Sequence, residues 1–408
     1  MNAVIILAYF LLRLLASVLL FSILLIGIQY LTTTIYDFEE PAPFSGKKWL
    51  NPYQSVGKER IKANFHAHSC AWKSLTYGKS TAESLRNGYK EKGYDIAAVS
   101  NYFSLDTTGK QNDPLYIPVY EHGLNVFKSH CLVLNPQNIS YCDYFLFQST
   151  SHQQKVIEQI KAQKGIVVIA HPEFNRGRSL NDMKYLQHYD LVEVLNHFRI
   201  SDAHWDAALS TGKLAYLLAN DDSHSTDADE MGRVWTVILS PEKTKDQVLN
   251  SLLHGKAFGV YTEYNECEND FVSCNLKGDA VYVRFALPAD TILFIGQGGR
   301  VKKKVVKSDR AVYKLKQTDT YIRVVAKNSE SRIYLNPIAR YDASAGKALL
   351  ASTQLPKENK LQTWLFRACD LGLLYFPLRG VWLLWRPKKR NRRFRRINFL
   401  KRPILFQP

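Results

Sequence analysis

Asn64-Phe65-His66-Ala67-His68-Ser69 is the stretch on which the reading of this chain turns. Its two histidines close a short strand, and the sequence downstream keeps placing metal-ligand side chains at the ends of further apparent strands. Glu121 follows Ile117-Pro118-Val119-Tyr120, and His130 stands just before Leu132-Val133-Leu134. His171 closes Ile166-Val167-Val168-Ile169-Ala170, while Asp222 and His224 follow Leu214-Ala215-Tyr216-Leu217-Leu218-Ala219. Imidazole and carboxylate donors of this kind suit Zn, Mn or Fe ions, and several together can hold more than one ion. The pattern points to metal-assisted hydrolysis.

Between these residues strands alternate with helices. Thr81–Lys92 is helix-competent and stops at Gly93, and Ile96–Val99 is the next strand. Gln153–Lys164 is a helix ended by Gly165, Trp205–Ser210 a short one ended by Gly212, and Lys243–His254 a third. Leu191–Leu195, Leu214–Ala219 and Val234–Leu239 read as strands. Continuous apolar strands separated by helices predict an α/β fold with a parallel sheet covered on both faces. His68, His171, Asn196 and Asp222 fall at the carboxyl ends of strands, where closed α/β barrels carry their functional groups. Residues 60–257 are few for eight βα units, so a smaller or distorted barrel is expected. Beyond residue 258, Val281–Leu287, Thr291–Ile295, Ala311–Leu315, Thr320–Ala326 and Arg332–Leu335 read as short strands joined by turns. They predict a small β-sandwich over 258–346. Residues 33–59, with Pro41, Pro43, Gly46 and Pro52, read as a linker.

The two ends of the chain have a different character. Val4–Leu31 is almost unbroken apolar sequence, long enough to cross a bilayer and too long for a signal h-region, so residues 1–32 are read as a transmembrane anchor. Residues 371–408 contain eleven Lys or Arg and no acid, most of the formal +17. A basic chain raises the question of nucleic acid. Here the excess lies beside Leu373, Leu374, Trp382, Leu383, Leu384 and Trp385, so membrane lipid is the expected partner and nucleic acid is not. Residues 347–408 are therefore read as a membrane-associated helix and basic tail. Leu361–Trp385 carries Arg367, Asp370, Pro377 and Arg379, which favour an interfacial or re-entrant helix over a second span. The excess of Lys and Arg at Arg386–Arg396 puts the tail in the cytoplasm, with the catalytic part outside if the segment crosses. Six cysteines show no zinc-site spacing. Cys267 and Cys274 could pair in an oxidising compartment or stay free.

Seven motifs stand in one order: N-F-H-A-H-S at 64–69, G-Y-D-I-A-A-V-S-N-Y at 93–102, I-P-V-Y-E-H-G at 117–123, S-H-C-L-V-L at 129–134, I-A-H-P at 169–172, L-V-E-V-L-N at 191–196 and A-N-D-D-S-H at 219–224. In this order the chain resembles the PHP (polymerase and histidinol phosphatase) superfamily over residues 60–255. The resemblance implies a distorted (β/α)7 TIM-like barrel that hydrolyses phosphoesters with up to three metal ions. Carried over, His66, His68, Glu121 and Asp222 would hold one ion, and Glu121 would bridge to a second ion held by His130 and His224. His171 would serve a third. That third site is expected to be weak or absent, because Ser100-Asn101-Tyr102 stands where the family usually has Thr-Asp-His and the loop after His68 offers no histidine. Cys70 or Asp106 could substitute.

Two bridged ions, Zn, Mn or Fe, suffice to acidify a water to hydroxide and to stabilise phosphoryl charge. Tyr102 or His171 would give the leaving group its proton. Arg176, Arg199 and Arg233, in loops just after family motifs, and Asn196 are candidate phosphate contacts. His122 reads as structural and Asp221 as an orienting neighbour of Asp222. His152, His188, His197, His204 and His254 read as surface or packing residues. The expected function is a membrane-anchored, metal-dependent phosphoesterase cleaving a phosphate mono- or diester by a metal-bound hydroxide, with lipid-borne phosphates among its expected substrates. The alternative is a catalytically degenerate metal- or ligand-binding module, which the Asn101-Tyr102 departure favours and the two-metal ligand set disfavours.

Overall fold

Apolar side chains surround nearly the whole of α1 (Asn2–Tyr30), and large hydrophobics from Val4 to Ile28 are exposed along it. The computed structural model describes residues 2–71, 78–111, 113–227, 229–264, 266–342 and 355–386. It divides into two units, Met1–Leu31 with Arg367–Pro408, and Thr32–Phe366.

In the first unit α1 runs antiparallel to the greater part of the last helix, α7 (Lys360–Trp385). Gly27 lies against Leu374 and Gly380 against Leu20, positions where a larger residue would collide. The Trp385 indole donates to Ser17 Oγ at 2.7 Å, and its ring meets Phe10 edge-on at 5.9 Å. Among the described residues one helix, Ala3–Tyr30, is long and apolar enough to cross a membrane. The tail beyond Arg386, read as a basic lipid-binding segment, lies outside the described residues.

The second unit contains the strands β1 (Tyr36–Asp37), β2 (Lys48–Leu50), β3 (Glu59–Asn64), β4 (Ile96–Ala97), β5 (Val119–His122), β6 (Cys131–Leu134), β7 (Ile166–Ile169), β8 (Leu191–Asn196), β9 (Tyr216–Asn220), β10 (Val234–Ser240), β11 (Ala257–Thr262), β12 (Phe271–Lys277), β13 (Ala280–Gly296), β14 (Arg300–Lys314), β15 (Tyr321–Lys327), β16 (Ser331–Leu335), β17 (Ile338–Tyr341) and β18 (Lys357–Glu358). Its helices are α2 (Ala82–Glu91), α3 (Thr150–Ala162), α4 (Leu180–Tyr185), α5 (Asp202–Ser210) and α6 (Lys245–Leu253). Capping sets their starts: the Thr81 side chain accepts from Ser84 N–H, and Ser149 and Ser179 form capping boxes with His152 and Asp182.

The fold is mixed α/β, but the expected barrel does not close. One sheet has the order β5-β6-β7-β8-β9, antiparallel from β5 to β7 and parallel from β7 to β9. A second, of eleven strands, has the order β12-β13-β15-β16-β11-β10-β3-β4, with β14, β17 and β2 attached. Among the described residues the two sheets share no ladder: β9 packs against β10, where Thr236 Oγ1 bonds the Ala219 backbone, and isolated bridges link Tyr102 to Glu121 and Ala67 to Ser223. The two-residue β4 is too short to carry a ladder on to β5. Asp222, at φ 55°, turns the chain out of β9 before a ladder with β3 can form.

The strands after residue 258 extend the sheet that leads into His66, since β11 pairs with β16 and β10 with β3. Val281–Leu287 and Thr291–Ile295 are one long strand, β13, whose register against β14 shifts between Arg284 and Ala289. The stretch read as a linker is packed in place: Phe44, Asn51 and Tyr53 are buried, and the Tyr53 hydroxyl donates to Ala257 O at 2.7 Å. All six cysteines are free, so Cys267 and Cys274 do not pair, and burial pushes the Cys274 thiol up to about 12.

Candidate metal centre

Four donor atoms converge where β3, β5 and β9 end. His66 Nε2 lies 3.2 Å from His68 Nε2 and 3.1 Å from Asp222 Oδ1. His68 Nε2 lies 3.3 Å from that same oxygen, and Glu121 Oε2 is 3.0 Å from His68 Nε2 and 3.5 Å from His66 Nε2. A tetrahedral ion with bonds near 2.0–2.1 Å spaces its ligands about 3.3 Å apart. The observed separations bracket that value. Glu121 turns its other oxygen the opposite way, 2.6 Å from His130 Nδ1 and 3.2 Å from His171 Nε2. One carboxylate therefore serves two histidine pairs, the geometry a bridging ligand requires.

The chemistry of these atoms calls for a cation. His66 Nδ1 faces Glu193 Oε1 at 2.9 Å, so in the neutral ring the proton sits there and the Nε2 lone pair points at two carboxylate oxygens. Glu121, Asp222 and Glu193 are all buried, and among the described residues no lysine or arginine pairs with any of them. Buried anions without a counter-charge are costly. Burial opposes charge on His66, His68 and His171, yet Asp222 and Glu121, joined by Glu193 at His66 and His171, hold all three above the ordinary imidazole range. Burial likewise opposes ionisation of Glu121 and Asp222, but His130 and His66 keep Glu121 well below its usual range, and His66 and His68 do the same for Asp222. Divalent ions would meet the same demand without the protons. Groups that could hold an ion are His66, His68 and Glu121; Glu121, His130 and His171; His68, Asp222 and His224; and His66, His171 and Glu193.

The surrounding backbone is built to hold this cage. His171 and Asp222 both take positive φ, 24° and 55°, a conformation uncommon for non-glycine residues though His and Asp adopt it more readily than most. Asn196 is engaged at both ends of its amide: the nitrogen donates to Glu193 Oε2 and Asp222 Oδ2, both at 3.2 Å, and the carbonyl accepts from Phe198 N–H, which ties two of the clustered carboxylates together. Asp221 accepts from the backbone N–H groups of Gly232, Arg233 and Val234 and from the Tyr89 hydroxyl, pinning the loop that follows Asp222. Asn101 ties the segment after His68 through Ser69.

The sequence reading divides the ligands differently from the structure. His224 stacks on His68 at 4.8 Å and groups with Asp222, while His171 takes the place beside His130 and Glu121. Tyr102 lies flat against His68, ring centroids 5.0 Å apart, and burial with Glu121 and Asp222 nearby drives its hydroxyl far above the usual phenol range. Asp106 is held by Arg86 and Thr108, and Cys70 joins no ligand group among the described residues. Arg176 is exposed, Arg199 donates to Phe198 O, and Arg233 pairs with Asp229. His122 is a packing residue whose Nε2 meets Cys142 O at 3.0 Å. Glu193 was not singled out from the sequence; its signal was an acid alone in the apolar run Leu191–Asn196.

No protein-family model matches the chain. No curated protein matches it. Among solved structures it is similar to a two-domain protein containing a predicted PHP-like metal-dependent phosphoesterase from Bacteroides vulgatus ATCC 8482, at 13% identity and TM-score 0.37, over 73% of this chain and 91% of that one. It is also similar to the lesion-specific endonuclease PfuEndoQ from Pyrococcus furiosus, at 13% identity and TM-score 0.34, over 48% of this chain and 56% of that one. A third is an endonuclease Q in complex with a 27-mer duplex bearing an abasic lesion at its active site, at 13% identity and TM-score 0.31, over 47% of this chain and 55% of that one.

Proposed function

We propose that this chain is a membrane-anchored, metal-dependent phosphoesterase of the PHP type, with residues 60–257 as its catalytic part. The observation that carries the reading is Glu121, which offers one oxygen to His66 and His68 and the other to His130 and His171. His66, His68, Glu121 and Asp222 would hold one ion, and Glu121, His130 and His171 a second, with His224 beside the first. Two divalent ions held there, Zn, Mn or Fe, would supply Lewis acidity to a water and to the phosphoryl oxygens.

The protein's own groups divide the remaining work. Glu193 fixes the His66 tautomer and, through the His171 N–H, the turn that carries His171. Tyr102 keeps its proton, and its hydroxyl, hydrogen-bonded to Glu121 here, would turn to a phosphoryl or leaving-group oxygen once ions engage that carboxylate. α1 would anchor the protein, and the catalytic part would lie outside the cytoplasm if α7 also crosses, with the basic tail within; the anchor makes a phosphate borne on a lipid the favoured substrate.

Elemental analysis and hydrolysis of p-nitrophenyl phosphate and its bis ester test the reading. Two tightly held ions with turnover of either ester support it. Protein loaded with Mn, Zn or Fe that leaves both esters intact favours a degenerate binding module. Cleavage confined to an abasic DNA duplex would replace the lipid with nucleic acid.

A further inference from the structure

The chain leaves the Thr32–Phe366 unit at two points, and both are fastened to one corner. Thr32 Oγ1 lies 3.4 Å from the Tyr144 hydroxyl, and Thr33 Oγ1 lies 3.0 Å from His152 Nε2. Tyr144 and His152 pack ring to ring at 4.4 Å, and Phe366 meets His152 edge-on at 5.7 Å. β1 pairs with β18, and Asn359 N–H donates to Ile35 O at 2.8 Å, which closes the clamp. α1 ends at Tyr30, two residues before Thr32. At roughly 3.5 Å per residue, a bilayer that takes up α1 ends within about 7 Å of this corner.

The surface beside that corner is apolar. Leu124, Val126 and Phe127 on one loop, and Tyr141, Phe145 and Phe147 on another, are each between 41% and 71% exposed. They form one patch: Val126 N–H donates to Phe145 O at 3.0 Å, and the rings of Phe127 and Phe147 stand 6.2 Å apart. Scattered exposed hydrophobics are ordinary, but a contiguous group marks a surface that meets something apolar. Asp143, the acid inside the patch, is already engaged by the N–H groups of Leu124 and Tyr144 and by the Gln148 amide. Loop 123–130 also joins the strand of Glu121 to His130, so the patch borders the ligand cage.

We infer that loops 123–128 and 141–147 form a second membrane-contact surface, seated in the headgroup region of the bilayer that holds α1. Aromatic and aliphatic side chains at the tips of two linked loops suit that interface. Seated there, the mouth between Glu121 and His130 meets phosphates at the level where lipid headgroups carry them. The inference rests on the proposal that α1 is membrane-embedded, and its test separates the two.

The full chain, carrying p-benzoylphenylalanine at one position at a time, is reconstituted in vesicles of equimolar phosphatidylcholine and phosphatidylglycerol and irradiated. Leu15 probes α1, Phe147 the patch and Lys303 a β14 surface remote from it in sequence. Lipid adducts at 15 and 147, and none at 303, are the expected result. Adducts at 15 alone overturn the second contact and leave the anchor standing. Adducts at 147 to another protein chain overturn it in favour of a protein partner, and absence of adducts at both 15 and 147 removes the anchor as well.

Discussion

Glu193 Oε1 and His66 Nδ1 lie 2.9 Å apart with both side chains wholly buried. The pair sets which nitrogen of His66 faces the centre, because a carboxylate only accepts and so keeps the ring proton on Nδ1. Glu193→Gln replaces that acceptor with a group able to donate, freeing the ring to present the wrong tautomer. Ion affinity and turnover are expected to fall about 10- to 100-fold. Chelator competition measures the first, and an unchanged affinity would show that Glu193 only packs.

Asp222→Ala removes an oxygen within 3.3 Å of both His66 Nε2 and His68 Nε2. Elemental analysis should find one ion lost, with turnover of bis-p-nitrophenyl phosphate down by on the order of 100-fold or more. Wild-type metal content together with wild-type turnover would falsify this ligand assignment.

Acid should loosen the corner where the chain enters the catalytic unit. Burial lowers His152 from 6.5 to about 4, and its Nδ1 accepts the Ser149 N–H, a bond the protonated ring cannot make. The unfolded chain then binds the extra proton between pH 6.5 and about 4, so stability rises with pH across that window and is lost on acidification. The loss is on the order of 2 kcal/mol by pH 4. Denaturant titrations of the full chain in detergent should show this slope, and His152→Gln should flatten it. Equal slopes in both proteins would rule His152 out.

Arg323 on β15 joins the C-terminal strands to helix α5, reaching Asp206 through Nε at 2.8 Å and Nη2 at 2.6 Å, with Asp202 at 3.0 Å. The guanidinium is buried, and the Tyr321 hydroxyl donates to Asp206 as well. Arg323→Ala strands the Asp206 carboxylate, and stability should fall by about 3–5 kcal/mol. An Arg323→Met, Asp206→Leu double variant should recover much of it. A single variant with a wild-type melting temperature would show that the two halves are held elsewhere.

The convergence of His66, His68, Glu121, His130, His171, Asp222 and His224 is legible because few side-chain types could bind such ions and all of these stand near strand ends. Their division into groups was not legible. It depends on backbone turns at His171 and Asp222 that nothing in I-A-H-P or A-N-D-D-S-H reveals. Glu193 was hidden by its setting, since an acid in a strand ordinarily faces water. The antiparallel pairing of β5 with β6 is legible, since His122 and Cys131 are separated by eight residues, too few for a parallel crossover; that of β6 with β7 is not, because the connection through α3 is long enough for one. Only the end of β14, within Ala311–Leu315, reads as a strand in sequence, because Arg300-Val301-Lys302-Lys303-Lys304 lacks the composition of one. It forms one as an edge, where lysines discourage further pairing.

Continuity of the sheet from β3 through β10 and β11 to β16 bears on how the molecule can be divided. Ending the polypeptide at residue 257 would remove β11 and leave β10, every residue of which is buried, with a bare flank. Such a fragment would stack on copies of itself before its chemistry could be assayed. Whatever the C-terminal third does for the living cell, it is also the selvedge that keeps the catalytic cloth from fraying.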